Sequence, residues 1–195
     1  MAGGRAAGGG HDWEREYSEG RWDFLEKPHE QLRHAVMASL IGQHARGEVI
    51  DLGAGRCPLL AWLRPGEVTR YIGVDLSATA LAAMPASPIP SETITTSIEA
   101  FPMPDRPVGA LVCAEALYFL DDPVGVLKAK VEAAQEVAAV VVSLVVPRPD
   151  KPNWKRNADR IWQGLEATGW PLVDKVRVGS EAAGIAWDVA VYRTG

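Results

Sequence analysis

The stretch from Val49 to Cys57, which reads Val-Ile-Asp-Leu-Gly-Ala-Gly-Arg-Cys, constrains the fold of this chain most strongly. Its first four residues are mostly apolar and predict a buried parallel strand, and Gly53 and Gly55 predict a tight turn directly after it. Pro58 suits the first residue of a helix, where its missing N–H group removes no hydrogen bond. A side chain at either glycine would keep a ligand away from the backbone, so this stretch predicts a ligand site beside free amide groups.

A second apolar strand is predicted from Tyr71 to Asp75. An acid at the end of that strand can accept hydrogen bonds from the two hydroxyls of a ribose, which indicates an adenosine ligand. A nicotinamide dinucleotide is one candidate, but its fingerprint requires a third glycine where Pro58 stands. Asp51, which lies inside the first strand, suits a cationic ligand better than a pyrophosphate.

The pattern Asp51-x-Gly53-x-Gly55, followed by Asp75, resembles motif I and the acidic strand end of class I S-adenosylmethionine-dependent methyltransferases. The resemblance implies S-adenosylmethionine as the cofactor. Cys57 stands where that family usually has glycine, and Ser97 stands where it has an acid for the adenine amino group. Glu99 is the alternative residue for that role. The core residues that the resemblance places against the cofactor are Asp51, Gly53, Ala54, Gly55, Asp75, Leu76, Ser97, Ile98, Glu99 and Ala114.

The alternation of strands and helices after residue 47 predicts an α/β fold with a doubly wound, mostly parallel sheet. The resemblance implies seven strands, of which the last is antiparallel. Further strands are predicted at 94–97, 108–112, 137–146, 174–178 and 187–192. Short helices are expected to begin at Pro58 and at Ala78, where Ser77 is the expected N-cap.

Three parts of the chain are distinguished by composition. Residues 1–10 are almost entirely glycine and alanine, so a disordered tail is predicted there. Residues 11–46 are rich in aromatic side chains and predict a helical lid, in which Tyr17 and Arg33 are expected to contact the cofactor. Residues 47–195 form the expected cofactor-binding core.

Composition excludes several classes of function. The formal net charge of −5 argues against a nucleic-acid groove, and the longest apolar run, 137–146, is too short to span a membrane. Two cysteines form no disulfide framework, and a cytoplasmic location is expected. Asp121 and Asp122 precede Pro123 and are expected to cap a helix, so no metal site is predicted.

The run from Ala114 to Asp122 resembles small-molecule enzymes of the nodulation N-methyltransferase type, in which this strand end lies under the transferable methyl group. An amine acceptor needs only to be neutral, whereas a hydroxyl acceptor requires a base. The candidate catalytic residues are Glu115, Tyr118, His29 and His34.

The expected function is methyl transfer to a nitrogen or oxygen of a small-molecule acceptor. The alternative is a cofactor-binding protein of the same fold that transfers no methyl group. A DNA amino-methyltransferase is disfavoured, because its Asp-Pro-Pro-aromatic type of run is absent after the fourth strand. The sequence does not define an oligomeric state.

Overall fold

The computed structural model describes residues 11–195. The predicted disordered tail, residues 1–10, lies outside the described residues. Within the described range, no helix is long and apolar enough to cross a bilayer.

A seven-stranded sheet forms the centre of the protein, as predicted. Its strands are β1 (Gly47–Leu52), β2 (Val68–Asp75), β3 (Ser91–Thr95), β4 (Val108–Ala114), β5 (Val137–Val145), β6 (Leu172–Ser180) and β7 (Ile185–Arg193). They lie in the order β3-β2-β1-β4-β5-β7-β6. The pairs among β1 to β5 are parallel, and β7 is antiparallel to both of its neighbours.

Five α-helices accompany the sheet in the described part of the chain. They are α1 (Trp13–Ser18), α2 (Pro28–His44), α3 (Ala78–Leu81), α4 (Pro123–Ala133) and α5 (Pro152–Glu166). Ser77 caps α3 as expected, because its hydroxyl accepts from the Ala80 amide at 3.0 Å. Asp122 likewise caps α4 through the Gly125 amide at 3.0 Å.

Both faces of the sheet are covered because successive strand residues point to opposite sides. On one face, Met37 and Ile41 of α2 pack in a cluster with Val49 of β1. On the other face, Leu127 of α4 and Ile161 of α5 pack in a cluster that contains strand residues such as Ile50. The second half of α2 is therefore part of the core, although the composition of residues 11–46 predicts a lid.

Two predicted elements differ from the observed ones. β3 begins at Ser91, three residues earlier than expected, because it pairs in register with β2 from Tyr71↔Ser91 to Asp75↔Thr95. The helix expected at Pro58 is only a four-residue 3₁₀ helix, Pro58–Ala61. Pro65 follows soon after and disfavours helical backbone at the residue before it.

Candidate functional site

A cavity of about 340 Å³ lies at the edge of the sheet where the parallel strands end. Its wall runs from the segment after β3, past the ends of β2, β1 and β4, to the end of β5. Because β7 is antiparallel, its first residues reach the same edge, and Ile185 and Trp187 complete that side. Open α/β sheets bind ligands at this edge, and the volume is in the range of small-molecule sites.

Gly53 and Gly55 both adopt left-handed backbone, with φ of 74° and 55°. A Cβ atom on Gly53 would lie 2.4 Å from Cβ of Ala116. A Cβ atom on Gly55 would lie 2.6 Å from the hydroxyl of Tyr17. The two glycines are therefore required by packing within the protein, in addition to any approach of a ligand.

Cys57 also has left-handed backbone, with φ of 56°, which explains why glycine is suited to this position. The thiol is fully buried, and burial raises its pKa to about 12. A thiol with so high a pKa is unreactive at neutral pH, so the side chain serves packing.

Asp75 lies at the end of β2 and lines the cavity. Its two carboxylate oxygens accept from the amides of Gly55, at 2.8 Å, and Ser77, at 2.9 Å. Burial raises its pKa. Each oxygen retains a lone pair for a further donor, so this carboxylate is fixed in place and can accept from ribose hydroxyls. Leu76, 40% exposed, follows it in the wall.

Asp51 is buried beneath the glycine turn and lines the cavity. Burial raises its pKa to about 7, against the opposing effect of a 2.8 Å hydrogen bond from the Tyr71 hydroxyl. Because this pKa is close to neutral, a cation bound beside Asp51 would favour the ionised carboxylate. The sequence identified Asp51 but not Tyr71, whose apolar neighbours predicted only a strand.

The segment after β3 contributes Thr96, Ile98 and Glu99 to the cavity. Ser97, predicted to contact the cofactor, is not among the residues that line it. Because β3 ends at Thr95, the Ser97 hydroxyl instead accepts from the Ala100 amide at 3.1 Å and caps a turn. The ammonium of Lys130 in α4 donates to the carbonyl of Glu99 at 2.7 Å and to that of Phe101, which anchors this segment.

The cover of the pocket is the segment 11–27, from which Trp13, Tyr17, Trp22 and Phe24 line the cavity. These rings contact one another in series, with centroids of Trp13 and Trp22 at 5.5 Å and of Trp22 and Phe24 at 5.7 Å. The aromatic residues that the sequence placed ahead of the sheet therefore converge on the ligand site.

Charged residues fasten this cover at two points. Arg56, in the glycine turn, pairs with Asp23 at 2.6 Å and with Glu26. Glu14 of α1 accepts from the Ser77 hydroxyl at 2.9 Å and from the Thr79 amide at 3.2 Å, at the start of α3.

The first half of α2 supplies a polar part of the wall. Arg33, 3% exposed, pairs with the equally buried Glu30, and its guanidinium lies 5.0 Å from the ring centroid of Trp187. His34 is also 3% exposed, and burial lowers its pKa to about 3, so the ring is neutral. Neither ring nitrogen has a hydrogen-bond partner among residues 11–195. His29, another candidate, lies outside the cavity wall.

Glu115 follows β4 with left-handed backbone, φ 60°, and faces the cavity. The residue as a whole is partly exposed, but burial of its carboxyl raises the pKa to about 8. The Ser143 hydroxyl donates to this carboxyl at 3.4 Å. Tyr118 lines the same wall, and its buried hydroxyl has no partner within the described part of the chain.

The residues of this cavity fit S-adenosylmethionine. Asp75 offers acceptors at one end, Asp51 lies near the middle of the edge, and Arg33 has a buried Nε that lacks a partner in the described structure. Sequence reasoning missed Glu30 and Trp187, which both contact Arg33, and the contact with Trp187 depends on the packing of α2 beside β7.

Comparison with known proteins gives one family match. Residues 50–136, from β1 through α4, match the family described as "Methyltransferase domain". No curated protein sequence gives a significant match.

Several solved structures share the fold. The N-methyltransferase NodS from Bradyrhizobium japonicum WM9, in complex with S-adenosyl-L-homocysteine, has a TM-score of 0.70 and 17% identity over 93% of this chain and 96% of that one. Magnesium protoporphyrin IX methyltransferase ChlM from Synechocystis PCC 6803, also with bound S-adenosyl-L-homocysteine, has a TM-score of 0.67 and 11% identity over 94% and 97%.

The plantazolicin methyltransferase BpumL, in complex with S-adenosyl-L-homocysteine, has a TM-score of 0.64 and 12% identity over 94% of this chain and 91% of that one. The TM-scores show a common fold, and the matched domain contains the glycine turn and the acid at the end of β2. The chain therefore contains a methyltransferase domain, matched over residues 50–136, on the fold shared by these methyltransferases, whose structures contain S-adenosyl-L-homocysteine.

Proposed function

We propose that this protein is a methyltransferase that binds S-adenosylmethionine in the cavity at the strand ends. It transfers the methyl group of that cofactor to a nitrogen or oxygen of a small-molecule acceptor bound in the same cavity. The observation that carries the proposal is the position of Glu115, Tyr118 and His34. These polar side chains line the cavity beside the glycine turn, and the last two have buried polar atoms with no partner in residues 11–195. Buried polar groups normally find partners, so a bound molecule would satisfy them.

The cofactor would lie along the strand ends. Asp75 would accept from the ribose hydroxyls, with Leu76, Ile98 and Glu99 around the adenine. The methionine end would lie near other residues that were predicted to contact the cofactor: Asp51, Gly53, Ala54, Gly55, Ala114, Tyr17 and Arg33. All of these line the cavity, which supports the assignment.

When bound, S-adenosylmethionine supplies a methyl group on a positively charged sulfur, ready for in-line displacement. The protein therefore contributes position and exclusion of water. The cover of 11–27 would exclude solvent. Glu115 would hold an amine in place or accept the proton of a hydroxyl, and its pKa of about 8 suits proton transfer near neutral pH.

NodS, which shares this fold, is an N-methyltransferase, and the likeness favours an amine acceptor. The net charge of −5 supports a small molecule over a nucleic acid as partner. A cytoplasmic role in natural-product biosynthesis is part of the same proposal.

The test is transfer of labelled methyl from S-adenosylmethionine to a fractionated metabolite pool, by wild type and by Glu115→Gln. Glu132→Gln, which changes an exposed acid of α4 outside the cavity wall, is the control. We expect a labelled small-molecule product that depends on Glu115 and does not depend on Glu132. Tight binding of S-adenosylhomocysteine without transfer to any fraction would contradict the proposal and favour a protein that binds the cofactor without using it.

A further inference from the structure

Aromatic side chains are concentrated around this cavity. The chain has fourteen Phe, Trp and Tyr residues, and eight of them line it. The cofactor itself contains one aromatic group, the adenine, and its expected position is near Asp75. Trp13, Tyr17, Trp22 and Phe24 pack together in the cover, so the rings outside it are the ones to consider for another molecule.

One group of rings lies at the far end of the edge from Asp75. Trp154 is on α5, Tyr118 follows β4, and Trp187 is on β7, whereas Asp75 ends β2 on the other side of β1. Trp154 is 45% exposed and meets Tyr118 edge-on, with centroids 5.1 Å apart. A large, half-exposed indole at the mouth of a pocket indicates a surface for ligand contact.

Within residues 11–195, the arginines that line this cavity are paired with acidic side chains. The charge of Arg33 is balanced by the buried Glu30, and the guanidinium lies over Trp187. His34 is neutral. An anionic acceptor would lose its hydration here without a free cation, whereas an uncharged ring would gain contacts.

Two buried polar side chains in this wall could still form hydrogen bonds to the reacting group of an acceptor. His34, more than nine-tenths buried, has both ring nitrogens unpartnered within the described residues, and the Tyr118 hydroxyl is in the same situation. A neutral imidazole offers one donor and one acceptor, so a hydroxyl or an uncharged amine can bind to it.

We propose that the acceptor is a planar, uncharged aromatic compound that stacks on Trp154 at the mouth of the pocket, with its reacting hydroxyl or amino group beside Glu115, Tyr118 and His34. This inference rests on the proposed function. The acceptor lone pair forms the bond to the methyl carbon, the carbon–sulfur bond breaks with its electron pair left on sulfur, and the acceptor proton passes to Glu115 or to solvent.

The experiment measures binding of matched probes by calorimetry to the full chain saturated with S-adenosylhomocysteine. The probes are 2-naphthol, its saturated analogue decahydro-2-naphthol, and the anion 2-naphthoate. We expect 2-naphthol to bind about tenfold more tightly than either of the others, because only it is both planar and uncharged.

Trp154→Leu should weaken 2-naphthol binding by about two- to twelvefold and leave decahydro-2-naphthol unchanged. Trp62→Leu is the control, because Trp62 is 43% exposed but does not line the cavity. Trp154→Phe should retain most of the affinity.

Equal binding of the planar and saturated probes, equal effects of the two tryptophan substitutions, or no binding of 2-naphthol would overturn the inference. Binding of S-adenosylhomocysteine and transfer to a non-aromatic acceptor would then still support the proposed function. If the wild-type protein does not bind S-adenosylhomocysteine, the proposed function itself is wrong.

Discussion

The hydroxyl of Tyr17 in the cover lies 2.6 Å from the position that a Cβ atom on Gly55 would occupy. The cover and the cofactor turn are thus in direct contact, at the residue whose amide also holds Asp75. A substitution in the turn at Gly55 should therefore alter the position of the cover, and a substitution at Tyr17 should alter the turn.

Gly55→Ala should displace Tyr17, loosen the cover and weaken cofactor binding by about tenfold or more. Gly184→Ala is the matched control, because its φ of 62° imposes similar strain and nothing lies within 4 Å of the new Cβ. Adding Tyr17→Phe to Gly55→Ala should recover part of the loss, because it removes the colliding oxygen. Calorimetric affinity for S-adenosylhomocysteine is the measurement for each variant, and equal losses in Gly55→Ala and Gly184→Ala would refute the contact.

Asp75→Ala should weaken the binding of S-adenosylmethionine and of S-adenosylhomocysteine by about 1 to 3 kcal/mol, because the ribose hydroxyls would lose their acceptor. Calorimetry should also give micromolar affinity for both molecules and no detectable binding of NAD. Asp105→Ala, which changes an exposed acid away from the cavity, is the control. An unchanged affinity in Asp75→Ala would move the ribose site elsewhere.

Affinity for S-adenosylmethionine should rise several-fold between pH 5.5 and pH 7.5. Asp51 has a pKa of about 7 in the free enzyme, so it is largely protonated at the lower pH and ionised at the higher one. Only the ionised form attracts a cation, and this window lies below the titration of the cofactor's own amino group. Asp51→Asn should remove the rise, and a pH dependence that persists in Asp51→Asn would have another origin.

Cofactor should protect the region from Tyr17 to Arg33 against proteolysis, if residues 11–27 act as a lid. Arg56→Ala should increase the cleavage rate, because it breaks the pairs with Asp23 and Glu26. Arg64→Ala, which changes an exposed arginine, should not increase the cleavage rate. Deleting residues 1–10 should change neither protection nor activity. Equal digestion with and without cofactor would count against a lid.

The pH dependence of single-turnover rates separates amine from hydroxyl acceptors. For a hydroxyl, the rate should rise up to about pH 8 as Glu115 ionises, and Glu115→Gln should cost about a hundredfold or more. For an amine, the rate should be flat above the amine pKa, and Tyr118→Phe should lower it only modestly. His34, with a pKa of about 3, should not titrate between pH 5 and pH 9.

The same rates measured for His34→Gln and His29→Gln complete the series. His29→Gln should behave as wild type, because this residue lies outside the cavity wall. Near-normal rates in Glu115→Gln, Tyr118→Phe and His34→Gln would direct the search for catalytic groups to residues 147–152.

Local sequence predicted the parts of the site that depend on local backbone. The turn after β1 requires glycine, and the acid that ends β2 follows from a short apolar strand. The shift of β3 could not be predicted, because Ser91–Thr95 has a single large apolar residue and its register is set by pairing with β2.

Contacts between elements that are far apart in the chain could not be predicted from the sequence either. The hydrogen bond from Tyr71 to Asp51 and the stacking of Arg33 on Trp187 each depend on how two elements pack. The hydrogen bond from Lys130 to the carbonyl of Glu99 depends on the position of α4 beside the loop after β3.

The attachment of the cover through Arg56 has a kinetic consequence. Its partners Asp23 and Glu26 are 61% and 64% exposed, so each pair is weak and is screened by salt. Because the arginine belongs to the turn that would hold the cofactor, departure of S-adenosylhomocysteine would require these pairs to break. Where that departure limits turnover, moderate salt would accelerate the enzyme even as it lowers cofactor affinity.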